Sequence, residues 1–257
     1  MIQTQQHKIM LPDGATLAYV DIGAGRPLLL MHGFTGTARA HLGWLIDTLQ
    51  THTRVIAPDL RGYGASQPPP RDFPPDFYQR DADDMAALLR HVNCGPVVVM
   101  GFSDGAESAI LLAATYPELV AGVVAWGVSG VISQAMLNAV KARVPVPAKP
   151  HWGQWQQQIA ARHGAAQVEP MICGWNEAAA AIFARGGNIC LAEAAQVRCP
   201  VLLLNGDGEV GNTLDDVTRL VARLGSGRLE IIPHSGHPIH DDQPDLFIAQ
   251  VKAFLGV

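Results

Sequence analysis

Five short runs of continuous apolar residues punctuate this chain: PLLLMHG (27–33), RVIAPDL (54–60), PVVVMGF (96–102), VAGVVAWG (120–127) and PVLLLNGD (200–207). They are rich in Val and Leu and are bounded by Gly, Pro or Asp, the signature of strands. A strand with one wet face would alternate. Continuous apolar runs instead require cover on both faces, as in a parallel sheet flanked by helices. The stretches 76–92, 105–116 and 213–224 read as the covering helices. The start, HKIMLPDGATLAYVDIG (7–23), reads as a hairpin turned at Asp13-Gly14. The expectation is an α/β fold: a mostly parallel central sheet with an antiparallel N-terminal lead-in and helices on both faces.

One region breaks this rhythm. Between about 129 and 188 no good strand occurs, while prolines (VPVPAKP), Trp152, Trp155, Trp175 and alanine-rich stretches do. The organisation expected is a core of 1–128 and 189–257 carrying a helical cap insertion at 129–188; extra packing helices on the sheet face are the plainer alternative. A chain of 257 residues with 48% apolar and 16% charged residues is an ordinary globular chain. A net charge of −5 without a Lys/Arg run speaks against a nucleic-acid partner. Neither a basic-then-apolar leader nor a bilayer-length apolar run occurs, so no membrane partner is expected. Cys94, Cys173, Cys190 and Cys199 lie far apart without metal-site or disulfide spacing, which suits reduced thiols in the cytoplasm. A small molecule is the expected partner.

The chemistry centres on Gly101-Phe102-Ser103-Asp104-Gly105, between a strand and a helix. A strand turning sharply into a helix strains its corner residue and needs tiny neighbours, and it pushes the serine oxygen out above the sheet. The Asp104 amide would then sit at a helix N-terminus, ready for negative charge. A second such donor is expected from MHGFTGT (31–37), with the Phe34 amide as candidate. A serine needs a base, and the base an orienting carboxylate, arriving later in the order acid then histidine. LLLNGDGEVGN supplies Asp207 and Glu209; LEIIPHSGHPIHDD supplies His234, His237 and His240, of which His237 is best placed beyond the strand RLEII. Phe34, Phe102, Trp126 and the cap tryptophans are candidates to line a substrate pocket, and equally candidates for core. The cluster of His234, His237, His240, Asp241 and Asp242 could suggest a metal site. Gly236 and Pro238 deny it a helix on which imidazoles converge, so no metal and no cofactor are expected. A binding protein that keeps the pocket without turnover is a further alternative.

With these motifs the chain resembles the α/β-hydrolase superfamily of serine hydrolases, whose loop after the fourth strand is similar to DLRGYGAS (59–66). Within it, GFSDGAESAILLAATYP, GGNICLAEAAQVRCPVLLLNGDGE and GRLEIIPHSGH resemble the valacyclovir-hydrolase, or biphenyl-hydrolase-like, group. The resemblance implies ester or amide hydrolysis through an acyl-enzyme, with Ser103 as nucleophile and His237 as base; carbon–carbon bond hydrolysis is an alternative on the same fold. The family acid follows a glycine after two intervening residues; counted from Gly206, it falls on Glu209. The family usually has Asp there, followed by a proline-containing loop that EVGN lacks, so Asp207 stays a rival. The resemblance also puts at Asp104 the carboxylate that holds the ammonium of an aminoacyl substrate; the plainer reading is an acid complementing a helix dipole.

Overall fold

The computed structural model describes residues 6–141 and 146–257. Residues 1–5 of the start, and Val144 and Pro145 of the proline run, lie outside them. Eight strands form one sheet in the order β1-β2-β4-β3-β5-β6-β7-β8. The lead-in is a hairpin of β1 (Gln6–Met10) and β2 (Thr16–Gly23), paired antiparallel from Met10↔Thr16. At its turn the Ala15 amide donates to Asp13 Oδ1 (3.1 Å). β2 then runs antiparallel to β4 (Thr53–Pro58).

From there every pairing is parallel: β4 with β3 (Arg26–Met31), β3 with β5 (Val97–Phe102), β5 with β6 (Val120–Trp126), β6 with β7 (Val201–Gly206) and β7 with β8 (Gly227–Ile232). The five apolar runs are β3 to β7, and all six residues of β5 and of β7 are buried. Continuous hydrophobicity follows from having a hydrophobic cluster on each face. One cluster includes side chains of α2 (Phe77–Val92), α3 (Asp104–Thr115) and α7 (Leu214–Arg223); the other, side chains of α1 (Ala38–Leu49) and α9 (Pro244–Leu255). Helix starts follow local chemistry: Thr37 caps α1 by accepting from Ala40 N–H (3.0 Å), and Thr213 caps α7 through Asp216 N–H (3.2 Å).

Between β6 and β7 the chain forms α4 (Gln134–Lys141), α5 (Gln154–His163) and α6 (Val168–Ala184). They meet the core through aromatic contacts: the Phe34 ring lies 5.3 Å from that of Trp175 on α6 and 6.0 Å from that of Trp155 on α5. A four-residue helix, α8 (Ile239–Asp242), precedes α9. The loop after β4 is fastened to α2 by two arginines: Arg71 pairs with Asp81 (2.6 Å) and Arg61 with Asp84 (2.7 Å).

Trp126 is a correction to the pocket-lining expectation. It is 0% exposed and lines neither cavity at the candidate site. Its register partner on β5 is Phe102, so the two side chains share the α1/α9 face, and Phe102 stacks over the indole at 5.8 Å. The indole N–H donates to His240 Nδ1 (3.0 Å). Trp126 is core.

Candidate active site

The turn from β5 into α3 holds Ser103 at φ 55° and ψ −122°, a conformation costly for a residue with a Cβ. Two close approaches explain its glycines. A Cβ on Gly101 would come 2.6 Å from the Ala106 Cα, and one on Gly105 would come 2.5 Å from the Met31 carbonyl oxygen. The first keeps the turn tight. The second lets α3 pack against the end of β3. Hydrogen bonds over-determine the corner: Ser103 N–H donates to Trp126 O (2.9 Å), and Ala106 N–H to Ser103 O (2.8 Å).

His237 lies beyond the end of β8. Its Nε2 is 3.0 Å from Ser103 Oγ, and its Nδ1 is 2.6 Å from Glu209 Oε2. Gly127, at φ 63° after β6, leaves the room the ring occupies, since a Cβ there would lie 2.8 Å from the imidazole Cε1. Glu209 is held by the loop that departs from the family pattern. Gly211 and Asn212 of EVGN donate their backbone N–H groups to its other oxygen, Oε1, at 2.8 and 3.3 Å. Burial alone would raise this carboxyl. The bond to His237, the imidazolium charge and the two amides outweigh it and bring the pKa to about 2.

Asp207 lies apart from the imidazole. It is exposed and accepts from Ser235 N–H (3.2 Å), which braces the loop carrying the histidine. The other two histidines also diverge: His240 is buried against Trp126, and His234 is exposed. Phe34 and Phe102 both border the serine. Among the described residues, neither the Phe34 nor the Asp104 backbone N–H donates to a backbone or side-chain acceptor.

Two cavities open on Ser103 and share Phe34 and His237. The first, about 140 Å³, has Tyr78, Asp104, Glu107, Val131, Met136 and Trp175 in its wall. Asp104 is buried, and its carboxylate accepts from Tyr78 OH (3.0 Å) and Trp175 Nε1 (3.0 Å). Burial pushes its pKa up to about 6 despite those donors. Glu107, one helical turn on, accepts from the Ser129 and Gly130 amides (3.0 Å each) and from the Cys190 thiol (3.1 Å). Burial raises it to about 7. The second cavity, about 450 Å³, is more polar and includes His41, Trp155, Gln158 and Arg162.

Sequence reasoning missed Tyr78, Glu107, Asn212, His41 and Arg162. Glu107 carried a usable signal, because a glutamate three residues after Asp104 on an otherwise apolar helix faces the same end of the sheet. Asn212 follows Glu209 in the same loop and His41 stands on the first turn of α1, while Tyr78 and Arg162 reach the site from α2 and α5, remote in sequence.

The sequence and the fold have known counterparts. Residues 28–250 match the model of the alpha/beta hydrolase family. The mouse (Mus musculus) protein named serine hydrolase BPHL is 28% identical over 247 residues, covering 95% of this chain and 84% of that protein. A thermophilic esterase from Thermogutta terrifontis superposes with a TM-score of 0.72 at 25% identity, over 98% of both chains. A putative lipase from Acinetobacter baumannii gives 0.80 at 20% identity, over 98% of this chain and 90% of that one. Among the described residues no helix is long and apolar enough to cross a membrane. A strained serine at a strand–helix corner, bonded to a histidine that is bonded to a buried carboxylate, in a chain matched to the family model over most of its length, leads to one assignment: the protein belongs to the alpha/beta hydrolase family and is a hydrolytic enzyme of that fold.

Proposed function

We propose that the enzyme cleaves small esters through an acyl-enzyme on Ser103, with a preference for aminoacyl groups. The observation that carries this is the juxtaposition, in one cavity of about 140 Å³, of the Ser103–His237–Glu209 relay with the buried carboxylate of Asp104. His237 Nε2 takes the Ser103 proton as Oγ attacks the carbonyl carbon. The oxyanion forms between the Phe34 and Asp104 amides, each worth about 3 kcal/mol in the transition state. Glu209, ionised throughout, steadies the imidazolium, which then protonates the departing oxygen. Water repeats the sequence to release the acid.

Asp104 is the specificity group in this reading. Its donors Tyr78 and Trp175 are neutral, and no Lys, Arg or His pairs with it among the described residues, so an α-ammonium would supply the missing charge. Residues 129–188 act as the cap, since Trp155 and Trp175 border the cavities from that side. Four unpaired cysteines support a cytoplasmic setting.

The test compares aminoacyl esters with their N-acetylated counterparts. The free amine is expected to be favoured in kcat/KM by about tenfold or more, as a desolvated charge pair demands. Because both esters use His237, the ratio isolates Asp104, and it should fall as the pH drops below about 6. Asp104→Asn should abolish the preference. It should also stabilise the fold: a carboxyl raised from 3.8 to about 6 costs nothing below the first value and its full penalty above the second. At pH 7.5 the asparagine variant should therefore gain at most about 3 kcal/mol of stability, and at pH 4 little. Equal rates for the two esters would remove the aminoacyl reading.

A further inference from the structure

The second cavity carries a charge that the proposed chemistry leaves unused. Five arginines among the described residues are buried or half-buried: Arg54, Arg61, Arg71, Arg80 and Arg162. The first four each meet a carboxylate through two nitrogens, with closest distances of 2.6 to 2.8 Å: Asp21, Asp84, Asp81 and Asp72 respectively. Arg162, on α5, has no Asp or Glu oxygen within 4.0 Å among the described residues. Its Nη1 has only the Thr35 carbonyl oxygen and His41 Nε2, both at 3.4 Å. Neither supplies counter-charge. Burial holds His41 well below the usual imidazole range, so it is neutral.

A half-buried guanidinium without an anion bears a desolvation cost that its own fold does not repay. Its burial lowers its pKa with no carboxylate to oppose the shift. It borders the same cavity as Ser103 and His237, with Gln158 beside it on α5 as a neutral donor. The other fixed charge there, Asp241, has a side chain 64% exposed and sits where water screens it.

We propose that this cavity is the leaving-group site and that Arg162 there binds an anionic group, a carboxylate or a phosphate, carried by the alcohol portion of the substrate. The proposal rests on the reading above, in which the acyl group occupies the Asp104 cavity and leaves this one to the departing half. The substrate class that follows is doubly charged: an ammonium on the acyl side and an anion on the alcohol side. The fork of the guanidinium suits both anions bidentately.

The test uses alanyl esters of three phenols that differ in one meta substituent: carboxylate, phosphate or neutral carboxamide. Wild type, Arg162→Gln and Arg162→Lys are compared by the ratio of kcat/KM for each anionic ester to that for the carboxamide. A general loss from a disturbed α5 cancels in this ratio. For at least one anion the ratio should fall by about tenfold or more in Arg162→Gln, with Arg162→Lys between, and the two arms tell which anion fits. Ratios that stay the same in all three proteins for both anions would overturn the proposal and make Arg162 a brace for the Thr35 loop. Calorimetric binding of the three free phenols to Ser103→Ala, with and without Arg162→Gln, reads the site without turnover. Arg162-dependent preference for an anionic phenol there supports the proposal even if the wild type hydrolyses none of the esters, a result that would count against the hydrolase chemistry alone. Equal binding of charged and neutral phenols overturns it.

Discussion

Ser103→Ala should lower kcat on any accepted ester by about 10⁵–10⁶, and the residual rate should not respond to a further His237→Ala change. Residues that act as a unit fail as a unit. Without Oγ, the imidazole at 3.0 Å has no proton to take, and only the amide donors and substrate positioning remain. The loss should come without loss of fold. Alanine removes only an oxygen, and the backbone keeps its bonds to Trp126 O and from Ala106 N–H. Among the described residues, only His237 bonds to the hydroxyl. Ser103→Gly should lose the same activity and melt no lower than wild type, because glycine accepts φ 55° without the strain a Cβ brings. Steady-state rates and thermal melts on the three variants check both halves.

The second large effect separates two carboxylates only two residues apart. Glu209→Gln should cost about 10³–10⁴ in kcat, because an amide can present the wrong group to Nδ1 and cannot stabilise the imidazolium. Asp207→Asn should change kcat little, since Asp207 accepts from the backbone amide of Ser235 and does not touch the ring. The Glu209 effect should also show in acid. Its carboxyl is depressed to about 2 in the fold, so the stabilising pairing is complete above the ordinary glutamate value of 4.5 and is lost as pH falls toward 2. Equal losses in the two variants, or a larger one in Asp207→Asn, would reassign the acid.

Much of this was legible in the residue order. The five continuous apolar runs became adjacent parallel strands because each is covered on both faces, and Asp13-Gly14 turned the hairpin as its chemistry requires. The elbow was legible because Gly101 and Gly105 are forced by close backbone approach, a constraint written in residue type. Helix α1 was readable but unread: Leu42, Leu45, Ile46 and Leu49 repeat at helical spacing and are all buried. The choice between Asp207 and Glu209 depends on which way a short turn rotates after β7. Two amides of EVGN settle that rotation, and residue type alone does not specify it. For Trp126 the sequence leaves pocket and core equally open, because a tryptophan at a strand end suits both; its full burial and its bond to His240 decide for core. Tyr78, Trp175 and Arg162 reach the site from α2, α6 and α5, so only the packing of those helices brings them together.

The most direct measurement of the central claim is covalent trapping. The protein is treated with a fluorophosphonate, digested, and mapped by mass spectrometry. One adduct per chain is expected, on the peptide carrying Ser103, formed far more slowly in Glu209→Gln than in wild type and in parallel with loss of esterase activity. An adduct on another side chain, or full ester hydrolysis persisting after Ser103 is modified, would contradict the account.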